Sequence, residues 1–306
     1  MAVTSGQTVF NLDMSELIED AFERCGQELR TGYELRTARR SLNLLTIEWS
    51  NRGINLWTIE QGQIVMNTGQ AIYPIPSDTI DLLDTVTRTG SGETQSDVSV
   101  TRISEPTYMT IPNKNATGRP VQVWINRQTG LTNNTTVVTV GDIAPTDTTI
   151  TVSDASQLST IGFINIDNET IAYQNVSGNQ LLNCFRGQNN TTAASHTSGT
   201  SVVVANLSSI NVYPTPSAPG NQYTFVYYRM RRIQDAGGGV NIQDIPFRLL
   251  NCMVAGLAFY LSQKIPGAEM RMQWLKSEYE EQWLLASTED RDKSADRYVP
   301  RNMFYA

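Results

Sequence analysis

The sequence predicts an α+β fold. A four-helix bundle forms from N- and C-terminal helix pairs, with a central antiparallel β region between them. A small all-β domain is inserted into that region, and an extended C-terminal arm follows. Three observations predict this. Apolar residues recur at spacings of three and four near both ends: Leu35, Ala38, Leu42, Leu45 and Trp49, then Leu250, Val254, Leu257 and Leu261. Between them, short runs alternate with a period of two and break at Gly and Pro. Within those runs the composition shifts: residues 131–205 hold 30 Ser, Thr or Asn among 75, no Lys and one Arg, Arg186. The expected domains are a host at 1–130 and 206–286, the insertion at 131–205, and the arm at 287–306.

In chain order, Asp13 and Glu16 predict a capped first helix, lined by Leu17, Ala21 and Phe22 and ending near Gly26. Thr31 with Glu34 is a capping-box signature for a second, and Gly53 suits its left-handed cap. LWTIE, QIVMN and AIYPIP then read as short strands separated by Gly62 and Gly69. Leu82–Thr89, Val98–Ile103 and Pro120–Arg127 continue the pattern, with one helical turn at Ser104–Tyr108. In the insertion, Asp167-Asn168 and Ser177-Gly178-Asn179 are hairpin turns. Strands resume at INVYPTP and YTFVYYRMRR. AGGG at 236–239 reads as a flexible joint. Asp244 is expected to cap, and Pro246 to start, the third helix. A fourth carries Met272, Leu275, Tyr279, Trp283 and Ala286 on one face.

At 306 residues the chain suits one large or two smaller domains. Its longest apolar run, Cys252–Leu261, is too short to cross a bilayer, so no membrane partner is expected. Cys25, Cys184 and Cys252 fit no zinc spacing and no disulfide framework, so free thiols are expected. A net charge of −7 disfavours duplex DNA as a tightly held partner.

No residue pattern points to catalysis, and no enzyme activity, cofactor or metal is expected. The one histidine, His196, lies in the polar loop AASHTSG and reads as a surface or loop-packing residue. Glu19-Asp20 and Glu280-Glu281 sit beside cations on helices and read as solvated, ion-paired faces. Gly237-Gly238-Gly239 lacks the Lys-Ser/Thr of a phosphate loop. Tyr227-Tyr228-Arg229 with Arg231-Arg232 reads as a strand with one face in the core and one in an ion-paired interface. Arg36, Arg39 and Arg40 are expected to meet the acidic first helix, Glu19 and Glu23 included, of the same or a neighbouring copy.

The literal wording adds a resemblance. ELIEDAFERCG, LRTARRSLNLLTIEWSNRGINLW, RISEPTYMTIPNKNATGRPVQVWINR, INVYPTP, YTFVYYRMRR, DIPFRLLNCMVAGLAFYLSQK and LKSEYEEQW follow one another as in head-to-tail adaptor proteins of short-tailed bacteriophages. The insertion departs from that pattern. The resemblance implies a structural virion protein of the tail neck, assembled in the host cytoplasm. It implies a ring of twelve copies joining the portal protein to the tail nozzle protein, with genomic double-stranded DNA passing through without sequence-specific binding. It also implies that the arm reaches the portal through Arg297, Tyr298, Arg301, Phe304 and Tyr305, since aromatics and Arg are enriched at interface centres. The insertion is then a candidate binding module for tail fibres, a decoration protein or host glycan.

Overall fold

A computed structural model describes residues 5–53, 56–128, 130, 132–217 and 222–289. The described residues form a mixed α/β fold dominated by strands, with five α-helices and five sheets. This overturns the expected four-helix bundle with a central antiparallel β region and a small inserted β domain. The chain divides into two compact units, Met1–Thr58 with Ile233–Ala306, and Ile59–Arg232.

The first unit is helical. α1 (Met14–Cys25) and α2 (Gly32–Arg52) both begin with the predicted capping boxes, from Asp13 and Thr31, and both end on left-handed glycines, Gly26 and Gly53. The glycines at 237–239 are not a loose joint. The carbonyls of Asn241 and Gly239 accept the orphan N–H groups of Met14 and Ser15 at 3.0 and 3.1 Å, so this loop finishes the α1 cap. Asp244 does not cap the next helix; its carboxylate accepts the Gln234 N–H at 3.0 Å. A 3-10 turn, Phe247–Leu249, leads instead into α4 (Leu250–Ser262). α5 (Met272–Glu289) follows.

The reason these helices do not form a four-helix bundle lies in α4. Ten of its thirteen residues are buried, because Cys252, Met253, Ala255 and Ala258 make its second face apolar as well. A helix apolar all round sits at a centre rather than on a ring of four. α4 accordingly packs against α1, α2 and α5. At Gly256 an added Cβ would stand 2.9 Å from both Leu45 and Tyr279, so only glycine permits that approach. Trp49 closes the same core, its indole N–H donating to the Tyr279 hydroxyl at 3.0 Å.

Among the described residues, the second unit, Ile59–Arg232, contains all the strands and one short α-helix, α3 (Glu105–Met109). One four-stranded sheet runs Ile59–Val65, Thr224–Arg231, Thr79–Thr89, Ser96–Ser99, antiparallel throughout. Another runs Ile72–Pro74, Ser209–Tyr213, Gln122–Asn126, Thr101–Arg102. Its last pair is parallel, as is Thr215–Pro216 with Thr117–Gly118, so the β region is not purely antiparallel. Tyr73, Phe225, Tyr227, Ile210 and Val212 share one core. Gly62 does not separate two strands; it lies inside one. The Tyr227 ring crosses it so closely that a Cβ there would stand 2.3 Å from the ring.

Residues 132–205 supply a five-stranded and a three-stranded sheet around Ile164, Ile166, Ile171 and Leu181. Turns at Asp167 (φ 52°) and Gly178 (φ 56°) stand where the sequence puts them. A small apolar cluster of Phe163, Ala172 and Ala205 packs on Ile72. Gln70 donates to Gln188 at 3.0 Å, and the Ala71 N–H to Gln174 at 3.2 Å.

Candidate assembly surfaces

α1 turns Met14, Leu17, Ile18, Ala21 and Phe22 inward, which leaves Glu16, Glu19 and Glu23 exposed on the opposite side. α2 buries Ala38, Leu42, Leu45 and Trp49. Its exposed side carries Arg36, Arg39 and Arg40 together with Tyr33, Leu44 and Ile47. Arg39 donates weakly to the Ala236 carbonyl, at 3.4 Å. Burial, with Arg40 nearby, holds the Lys264 ammonium below its usual range, and Lys264 donates to the Ser41 hydroxyl at 2.8 Å. Among the described residues, no ion pair joins Glu19 or Glu23 to Arg36, Arg39 or Arg40. The expectation that these groups meet within one copy is therefore not met there.

Other charges of this unit are satisfied internally. Arg24 reaches Asp20 at 3.3 Å, Glu278 at 2.9 Å and Asn251 at 2.8 Å. Arg52 bridges Glu48 at 2.5 Å and Glu280 at 3.0 Å, and its guanidinium stacks over Trp283. Hydrogen bonding from Arg52 holds the Glu280 carboxyl below its usual range. The carboxylate pairs Glu19-Asp20 and Glu280-Glu281 thus each give one member to an arginine.

Beside α1 lies a cleft of about 730 Å³, lined by Phe10, Leu12, Phe247, Leu250 and Val254, with Asp20 and Arg24 at its polar edge. Phe10 and Phe247 are 76% and 78% exposed, which a lone folded chain has no reason to favour. Neither residue belongs to a helical stripe, so periodicity gives no sign of this cleft. The exposed face of α2 does leave one: Tyr33, Arg36, Arg40, Leu44 and Ile47 recur at helical spacing as a second stripe.

In the strand-rich unit, a shallow cleft of about 540 Å³ is lined by Arg102, Glu105, Trp124 and Arg127. Both arginines donate to one Asp81 oxygen at 2.8 Å. Burial pushes the Asp81 carboxyl up, but the hydrogen bonds from Arg127 and Arg102 outweigh it and hold it below the usual range. Arg229 is buried and pairs with Asp78 at 2.6 Å and Glu60 at 2.8 Å; Arg231 meets Glu60 at 2.6 Å. The strand's cations therefore serve an ion-paired network within the sheet.

Of the two expected positions for His196, surface or loop-packing, the structure has the second: the residue is buried. Its Nδ1 lies 2.8 Å from Asp167 and its Nε2 2.8 Å from Glu169. Arg186 binds Glu169 bidentately at 2.8 and 2.7 Å, and the N–H groups of Gly187 and Ala194 donate to it as well. Burial raises the Glu169 carboxyl, but these donors outweigh it and bring it down to about 2. Both ring nitrogens of His196 are engaged, so neither is free to take a proton from a bound substrate. Burial pushes the neighbouring Cys184 thiol up to about 12, which removes it as a nucleophile at neutral pH. This cluster ties the 189–200 loop to the sheet.

The expected portal contacts Arg297, Tyr298, Arg301, Phe304 and Tyr305 lie outside the described residues. No helix among the described residues is long and apolar enough to cross a membrane. No protein-family model matches this chain, and no curated protein matches it.

Proposed function

We propose that this chain is a structural ring protein of the head-to-tail adaptor kind, joining a phage portal to a tail nozzle. The observation that carries the reading is the helical unit's pair of exposed faces, acidic on α1 and basic with apolar residues on α2. Among the described residues these faces have no ion pair with each other. Two different, complementary patches on one protomer make a heterologous contact, which gives a ring where the rotation between copies closes and an open filament where it does not. The sequence resemblance suggests twelve copies, a portal partner above and a nozzle partner below. A net charge of −7 per copy suits a channel that double-stranded DNA passes without sticking. In this reading Arg297, Tyr298, Arg301, Phe304 and Tyr305 are the portal contacts, and the work is mechanical, with no catalysis.

Native mass of the full chain, alone and mixed with a portal ring of the same virus, tests this. A twelve-copy ring, alone or on the portal, is the expected result. A chain that stays monomeric and ignores the portal overturns it. Residues 287–289, expected in the arm, complete α5, so a variant lacking 290–306 should keep its helices and lose portal binding.

A further inference from the structure

Among the described residues, the sheet Ile59–Val65, Thr224–Arg231, Thr79–Thr89, Ser96–Ser99 has two open edges. Within it, strand direction alternates and the number of strands is even. The two edge strands therefore run in opposite directions. A copy rotated so as to carry the sheet onward places its Ile59–Val65 antiparallel to Ser96–Ser99 of the copy before, which continues the alternation without a break.

The backbone groups for such pairing are in place. Met66 N–H donates inward to Tyr223 O, and Val100 N–H inward to Thr85 O, both at 2.9 Å. By the strand's period of two, the N–H groups of Gln61, Gln63 and Val65 point outward on one edge, and those of Asp97 and Ser99 on the other. No partner for these five exists among the described residues. Thr101, two residues beyond Ser99, belongs to the other four-stranded sheet, and its N–H donates to Val121 O at 2.8 Å.

Side chains agree. Cross-strand register aligns Ile64, Phe225, Thr87 and Val98 in one row on the core face. Phe225 and Thr87 are buried, while Ile64 and Val98, at the row's two ends, are only half-buried. A neighbouring strand would cover both. Natural edges resist pairing through Lys, Pro or an unpaired inward charge. Neither edge strand has Lys or Pro. Their acids are neutralised within the sheet, Glu60 by Arg229 and Arg231, and Asp97 by Arg88 at 2.8 Å.

We propose that neighbouring copies of this chain join edge to edge, Ile59–Val65 of one copy adding antiparallel to Ser96–Ser99 of the next. The proposal rests on the ring reading above and specifies how its subunits are joined. The test is hydrogen exchange on the full chain, as monomer and as ring on the portal, with native mass recorded alongside. The amides of Gln61, Gln63, Val65, Asp97 and Ser99 should exchange freely in the monomer and at least about tenfold more slowly in the ring. Gln63→Pro removes only an outward N–H, so the monomer should fold while ring mass is lost; Gln63→Ala should assemble normally. A ring whose edge amides exchange as in the monomer, or a Gln63→Pro variant that assembles, overturns strand addition and leaves the ring intact. A dimer protected at 59–65 alone would mean pairing of two like edges and also overturns it. Absence of any ring in the wild type removes both readings.

Discussion

In residues 132–205 the one arginine and the one histidine both converge on a single buried carboxylate, Glu169. In the helical unit Arg36, Arg40, Glu19 and Glu23 stand exposed and make no ion pair with one another among the described residues. A buried carboxylate that accepts two guanidinium N–H groups, two backbone N–H groups and a ring nitrogen has no capacity left for a ligand. Exposed charges on helix faces hold that capacity in reserve. They add little to the stability of one copy and can steer and select a partner. The same residue types thus fasten a loop in one region and form a contact surface in the other.

The largest effect should come from breaking the buried cluster. Glu169→Ala leaves the Arg186 guanidinium buried without its counter-charge and takes from His196 one of its two carboxylate partners, at a cost of about 3–5 kcal/mol to the 132–205 region. Urea unfolding followed by hydrogen exchange at strand Glu169–Tyr173 checks this; an unchanged midpoint would sink the account. Acid should act next. The Glu169 carboxyl falls from an ordinary 4.5 to about 2 on folding, so its stabilisation is complete above pH 4.5 and is lost as pH falls toward 2. All five tryptophans lie outside 131–205. Loss of that region should therefore be silent in tryptophan fluorescence and visible in exchange, and Glu169→Gln should flatten the acid limb.

Much of the helical unit was legible from sequence because its signals are local. Asp13 with Glu16 and Thr31 with Glu34 are three residues apart, and both boxes form. The hub role of α4 was not legible. Leu250, Val254, Leu257 and Leu261 do form a stripe, but small apolar residues fill the other face, and only three packed helices reveal that it too is buried. Gly62 looked like a break because the ring that requires it belongs to Tyr227, far along the chain. The choice between surface and loop-packing for His196 was not legible for a similar reason: its partners Asp167 and Glu169 lie across a hairpin some thirty residues earlier, and polar loop composition hides them. Exposed faces are harder still, since nothing in a single copy completes them.

A middle-sized effect separates internal charges of the helical unit from its exposed ones. Arg24 ties α1 to α5 through Glu278 and to α4 through Asn251. Arg24→Ala should cost about 1–2 kcal/mol, because it strips a charge-assisted bond from a partly buried carboxylate. A stability equal to wild type would place Arg24 with the exposed group instead.

The smallest effect on stability should accompany the clearest effect on assembly. Arg36→Glu with Arg40→Glu changes two exposed side chains that have no ion pair among the described residues, and it relieves the repulsion of Arg40 on Lys264, so thermal unfolding of the isolated chain should not fall. If the α2 face meets the α1 face of the next copy, the reversal sets like charges against Glu19 and Glu23, and ring mass should be lost. Reversing Glu19 and Glu23 to Lys alone should do the same. Combining both reversals restores opposite signs across the contact and should restore the ring, a recovery that a misfolded variant would not show. Loss in both single-face variants without recovery in the combination would leave each face contacting something other than its counterpart. Added salt gives an independent reading, since screening should weaken wild-type assembly more than it weakens the monomer fold.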